Sequence, residues 1–214
     1  MNEFLARLMR LCYPPHCALC HRLLSEQERG VCRFCRKKHE NSCIRRELDC
    51  VRLCVAPFRY EGEVRDSLLR YKFHGVTAYG AAYAEFLAKC IDESDISCDI
   101  ITWVPLSRRR LRTRGYDQAR ILAEETAERL GLPCEQLLKK IKNTRPQSGI
   151  HDAEARRQNA KGVYVCCAPE KVRDKRVLVI DDIVTTGSTL SACASELLKA
   201  GCAAVYAGAA ASRH

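Results

Sequence analysis

At 214 residues the chain is one ordinary domain plus something small. Hydrophobic residues make up 47%, enough for a core, and the formal charge of +10 favours anionic partners, phosphorylated metabolites and nucleic acid alike. No apolar run reaches the length of a membrane span and no secretory leader is visible, so the fifteen cysteines are expected in a reducing cytoplasm, without membrane insertion, serving a metal rather than a disulfide framework.

The chain opens with Phe4, Leu5, Leu8 and Leu11 at helical spacing, and Pro14 and Pro15 stop that helix. Cys17-x-x-Cys20 and Cys32-x-x-Cys35 follow, separated by eleven residues. Two such knuckles can place four thiolates around one tetrahedral zinc ion. A stretch this small and polar cannot hold a fold by burial alone, and zinc would contribute on the order of 10 kcal/mol to ordering it. The other reading, free thiols in a small loop, has to explain two repeats of one spacing. Because all four ligands are protein side chains, the site is structural rather than catalytic. Cys12, His16 and His21 are weaker ligand candidates, and Cys43, Cys50 and Cys54 are irregularly spaced. The basic residues here, Arg33 to Lys38 with Arg45 and Arg46, read as a solvated surface or as a contact for nucleic acid or another partner. This amino-terminal module is expected over residues 1–54, and a larger domain over 55–214.

In the larger domain, Val51 to Tyr60 leads into a first strand. Val64, Leu68 and Leu69 mark a short helix ending near Gly75. Tyr83, Phe86, Leu87, Cys90 and Ile91 mark a second helix, and Asp99–Val104 a strand that Pro105 ends. The strand-to-helix connection that follows is crowded with arginine. Arg108, Arg109, Arg112 and Arg114 could meet phosphate oxygens in pairs, with Lys72 a further cation on the same rim. The phosphates could be those of a small ligand or of DNA, and a merely solvated loop is the plain alternative. A helix through Ile121, Leu122, Ala127 and Leu130 closes at Gly131. Asn143 to Asn159, with Arg145, Arg156 and Arg157, reads as a polar lid or a surface excursion. Gly162–Val165 is a strand, Leu190 to Leu198 a helix face, and Ala203–Ala210 the last strand. Strands alternating with helices indicate an α/β fold with a mostly parallel sheet flanked by helices.

The rest of the chain is organised around Val177 to Leu190. Val177–Ile180 suits a central parallel strand buried on both faces. Asp181 and Asp182 come next, at the carboxyl end where open α/β sheets bind ligands. Thr185, Thr186, Gly187, Ser188 and Thr189 then offer hydroxyls and backbone amides at a helix start, a cradle for phosphate. The stretch lacks the Gly-Lys-Ser/Thr of a P-loop and the glycine triplet of a dinucleotide fingerprint. A ribose 5-phosphate fits it, with the hydroxyls on the two aspartates and the phosphate in the cradle.

This string closely resembles the phosphoribosyl-pyrophosphate (PRPP) loop of type I phosphoribosyltransferases. The resemblance implies that Asp181 and Asp182 hold the ribose, that Thr185–Thr189 hold the 5-phosphate, and that magnesium accompanies PRPP. The chain as a whole resembles the ComF family. The resemblance is carried by Pro14–Cys20, Cys32–Cys35, Tyr71–Gly75, Trp103–Leu106, Arg114–Gln118, Gln147 through Arg156 to Asn159, and Asp181–Thr189. It implies a zinc module joined to a phosphoribosyltransferase-like domain and a role in natural competence, the uptake of single-stranded DNA. Asp117 stands where relatives often carry asparagine, and Cys43, Cys50 and Cys54 depart from the family's further cysteine pairs. The leading expectation is a PRPP-using transferase of unknown acceptor. A DNA-handling adaptor that contacts single-stranded DNA or competence proteins, and a PRPP sensor, are the alternatives.

Overall fold

The computed structural model describes residues 14–142 and 162–213. The expected helix over Phe4–Leu11, Cys12, and the expected lid Asn143–Asn159 with its three arginines lie outside those residues.

The amino-terminal part is a looped segment followed by α1 (Arg33–Lys38), which is capped by the Cys32 thiol accepting from the Cys35 N–H. A hairpin of β1 (Ile44–Leu48) and β2 (Val51–Ala56) comes next, and then β3 (Phe58–Arg59). Two helices follow, α2 (Gly62–Phe73) and α3 (Tyr79–Asp92), and then β4 (Ile100–Trp103). The arginine run is not an extended connection. It forms a helix of its own, α4 (Arg108–Arg114), started by the Ser107 hydroxyl accepting from the Arg110 N–H and ended by Gly115 at φ +79°. Helix α5 (Gln118–Leu130) starts on the Asp117 carboxylate and stops at Gly131. Strands β5 (Leu138–Lys140) and β6 (Tyr164–Cys166) form a separate antiparallel pair. Then come α6 (Pro169–Val172), β7 (Arg176–Val184), α7 (Ser188–Lys199) and β8 (Ala204–Ser212).

The main sheet has the order β1-β2-β8-β7-β4, with β3 also on β8. All its pairings are parallel except β1 with β2. Strand β7 sits in the middle because its residues are apolar on both faces. Leu178 and Ile180 pack with α2, α3 and α5, whereas Val177 and Val179 pack with α7 and the β5–β6 pair. Strand β7 also runs further than its apolar run suggests. Asp181, Ile183 and Val184 stay paired with β8, while β4 ends opposite Ile180. The two acids therefore stand inside the last turn of pairing on one side of β7 and beyond it on the other.

The amino-terminal part is not a bead on a string. Cys17, Ala18, Leu19, Val31, Cys32 and Cys35 are buried in the same core as α2 and α3. The Ser67 hydroxyl donates to the Ala18 carbonyl, and Arg70 donates to the Leu19 carbonyl at 3.2 Å. Cys43 and Cys90 form a disulfide that ties the start of β1 to α3. The cysteines were expected to serve a metal rather than a disulfide framework; this bridge was not foreseen, and the other twelve described cysteines are free.

Candidate functional site

Gly187 takes φ +81° and is the residue before the first turn of α7. Its left-handed backbone folds the loop back so that the Ser191 N–H reaches the Gly187 carbonyl at 2.9 Å. The hydroxyls of Thr186 and Ser188 lie 2.8 Å apart, and the Ser188 N–H also points at Thr186 Oγ1. The loop thus gathers hydroxyls and first-turn amides, which have no carbonyl one turn back to bond, at the positive end of a twelve-residue helix. That arrangement can hold a phosphate. The tip of the β1–β2 hairpin braces it. Arg46 donates to the Thr185 carbonyl at 2.5 Å, and Leu48 lies so close that a Cβ on Gly187 would fall 2.3 Å from its Cδ2. A cavity of about 620 Å³ runs between that tip and α7, with Thr186 and Ser188 among its walls.

The two acids, although adjacent, serve different faces of the sheet, as strand geometry requires. Asp182 is buried, and its Oδ2 receives both Lys72 Nζ at 2.9 Å and Gln118 Nε2 at 2.8 Å. Asp181 accepts the Asp182 N–H at 2.8 Å and faces the α7 side, where Cys193 lies. Burial, and then the charge of Asp182, push the Asp181 carboxyl up to about 8, against the pull of Lys72. On the same side Lys140 lies 3.4 Å from the Tyr164 hydroxyl. Burial lowers the Lys140 ammonium, and Arg110 lowers it further. Burial raises the Asp117 carboxyl, although the Leu106 and Arg120 N–H groups both donate to it.

Of the predicted cations, Lys72 reaches the acids. Arg108, Arg109 and Arg112 are exposed on α4, and among the described residues none of the three is in an ion pair. Arg114 lies over the Phe73 ring, 4.8 Å from its centroid. The arginine whose charge bears on Lys140 and Tyr164 is Arg110, which the sequence reading did not select. Gln118, Lys140 and Tyr164 were missed as well. Only Gln118 carried a signal, its place directly after the Asp117 cap.

The four predicted thiols converge. Sγ atoms of Cys17, Cys20, Cys32 and Cys35 all lie within 4.8 Å of one another. Cys20 and Cys32 are 3.8 Å apart, the edge of a tetrahedron built on metal–sulfur bonds of about 2.3 Å. The Cys32 N–H points at Cys17 Sγ and the Cys35 N–H at Cys32 Sγ, both at 3.3 Å, which favours the thiolate form. Burial opposes ionisation of Cys32, but the Cys35 N–H and the neighbouring thiols outweigh it and leave the group at about 7. His16 and His21 lie side by side, ring centroids 4.6 Å apart and tilted by 45°, outside the four-thiol cluster. Among the described residues the carboxylates form no comparable cluster.

A family model described as the phosphoribosyl transferase domain matches residues 117–214, which hold α5, β7, the hydroxyl loop and both acids. Competence protein F of Haemophilus influenzae is 36% identical over 100 residues, 46% of this chain and 43% of that protein. DNA utilization protein YhgH of Escherichia coli K12 is 34% identical over 109 residues, 50% of this chain and 46% of that protein. The chain thus spans less than half the length of either. Competence protein ComFC of Bacillus subtilis is 26% identical over 198 residues, 88% of this chain and 73% of that protein. Among solved structures, a glutamine PRPP amidotransferase from B. subtilis complexed with ADP and GMP is similar at 22% identity and TM-score 0.45, over 65% of this chain and 30% of that one. The four-cysteine cluster and the type I phosphoribosyltransferase-like α/β domain, with these relatives, support a likeness to the ComF family.

Proposed function

We propose that the protein binds PRPP, or another ribose 5-phosphate, and that it is a phosphoribosyltransferase-type enzyme whose acceptor the site does not name. The single observation that carries this reading is the run from a buried acid held by Lys72 into a hydroxyl- and amide-lined helix start, inside the matched domain. The 5-phosphate would sit on Thr185–Thr189 and the ribose hydroxyls would reach Asp182, with Asp181 behind it on the other face. Lys72, Arg110 and the exposed arginines of α4 supply positive charge for the pyrophosphate side. Among the described residues no group of carboxylates gathers into a metal cage, and magnesium bound together with the ligand would supply positive charge to offset a leaving pyrophosphate. The zinc reading rests on the four thiols, and metal analysis of the parent beside Cys32→Ser tests it.

Calorimetry with PRPP and magnesium tests the binding. Saturable heat in the parent, weakened at least about tenfold in Asp182→Asn, is the expected result. No heat with PRPP or with ribose 5-phosphate would end the reading. Pyrophosphate release across a panel of bases then tests turnover.

One observation favours a second reading, an adaptor for single-stranded DNA. In the structure Phe73 is 60% exposed beside Arg114 and next to the exposed arginine helix. A stacking surface beside cations is what single strands need. Salt-sensitive oligonucleotide binding that Phe73→Ala reduces and Asp182→Asn leaves alone would favour it. The competence role that relatives' names carry, and a cytoplasmic location, go with either reading.

A further inference from the structure

We infer that Gln118 is a positioning residue that keeps Asp182 in place when Lys72 is drawn away by an anionic ligand. This rests on the reading of Asp182 as the acid that meets the ribose. The starting observation is an asymmetry in one side chain. Gln118 is 3% exposed. Its Nε2 donates to Asp182 Oδ2 at 2.8 Å, while its Oε1 is buried with no hydrogen-bond partner among the described residues. Turning the amide over would aim its oxygen at a carboxylate, so the orientation is dictated by Asp182. An unpaired buried acceptor forfeits its water partners without replacing them and so destabilises the fold. An apolar side chain of the same length would avoid that cost and would leave Asp182 with Lys72 alone.

The two holders of Asp182 differ in a way that matters. Lys72 carries a charge on a flexible stem near the carboxyl end of α2, and a phosphate or pyrophosphate competes directly for its ammonium. Gln118 carries no charge to be drawn off. It is the first residue of α5, directly after the Asp117 cap, and its carbonyl accepts the Tyr71 hydroxyl at 2.7 Å. When an anion takes Lys72, Gln118 still donates to Oδ2, and the carboxylate keeps its direction. The other titratable groups that feel the charge of Asp182 are Tyr71 from α2, Asp117 before α5, and Asp181 beside it on β7.

The test uses the full chain, calorimetry with PRPP plus magnesium and with inorganic phosphate, and thermal melts to check folding. Gln118→Met is expected to bind inorganic phosphate like the parent and PRPP about tenfold more weakly, the loss of one hydrogen bond to a charged group. Gln118→Glu separates positioning from mere packing. At pH 8 the introduced carboxylate repels Asp182 and PRPP binding is weak. As pH falls towards 5.5 the introduced group, buried beside like charges, takes up a proton and can donate as the amide did, so affinity relative to the parent recovers. Parent-like PRPP affinity in Gln118→Met overturns the inference, and so does a variant-to-parent ratio that is flat with pH in Gln118→Glu. Should neither variant fold, the parent still decides. With nitrogen-labelled glutamine, one side-chain amide is expected to exchange slowly with PRPP bound, and solvent-rate exchange of every such amide overturns the proposal. A parent that shows no PRPP heat ends the ribose reading and this inference together, whereas a parent that binds beside an indifferent Gln118→Met ends the inference alone.

Discussion

Neighbouring acids on a strand cannot share an environment, because successive side chains leave on opposite faces. Asp182 meets a lysine and an amide, whereas Asp181 meets burial and the charge of Asp182. The consequence is a stability that depends on pH. An unfolded aspartate titrates at about 3.9, and Asp181 in the folded protein is pushed up to about 8. Between those values the unfolded chain gives up a proton that the native state keeps. Native stability contributed by this group is therefore intact below about pH 4. It is lost as pH rises through the folded value. Asp181→Asn removes the group from the balance. Melts of parent and variant are expected to coincide near pH 4 and to separate by about 2 kcal/mol in favour of the variant at pH 8, after discounting for partial exposure. A difference that does not change with pH would mean that Asp181 is ionised in the native protein.

At the scale of elements, the loop from β7 to α7 depends on a hairpin distant in sequence. Leu48 closes on Gly187, and Arg46 holds the Thr185 carbonyl. Gly187→Ala meets two separate penalties, a left-handed backbone that alanine resists and a collision with Leu48. Together they should cost about 1–3 kcal/mol and weaken ribose 5-phosphate binding. Adding Leu48→Ala should recover the steric part and leave the backbone part, so the double variant melts above Gly187→Ala and below the parent. Equal melting of the two would mean that the collision relaxes freely. The loop itself was legible in the sequence because every residue type from Val177 to Thr189 pointed the same way. Its brace was not. Strand β1 alternates half-buried and exposed residues at a sheet edge and is largely charged, so Arg46 and Leu48 carry no pattern that names their target. Helix α4 hid for the same reason: it buries no residue, so no apolar period marks it, and the Ser107 and Gly115 caps were its only local signs. Gln118, Lys140 and Tyr164 are brought to the acids by tertiary packing alone. The four thiols were legible because a metal knuckle is a local object with a fixed spacing.

The molecule as a whole joins what the sequence divided. A boundary after residue 54 was expected, yet β2 spans Val51–Ala56 and lies between β1 and β8 in the main sheet. Cutting there removes most of a strand and uncovers the edge of β8. It also removes the Cys43 half of the disulfide and the buried wall of Ala18, Leu19 and Val31 against which α2 and α3 pack. Fully buried side chains on those helices, Leu68, Tyr71, Tyr83 and Leu87, share that core and would lose part of their cover. Each large buried side chain is worth about 1.5–3 kcal/mol relative to exposure, and a domain's whole margin is only about 5–15 kcal/mol. Partial loss of that cover at several positions is enough to consume the margin. A chain restricted to residues 55–214 is therefore expected to lack a cooperative melt and to lose phosphate binding, even though it retains the acids and the hydroxyl loop. Cooperative melting of that fragment with parent-like affinity for ribose 5-phosphate would show that the cysteine module only decorates the domain. The contrary result would make the module part of the wall that shapes the site, because the hairpin bracing Gly187 is the same hairpin whose start the disulfide ties to α3.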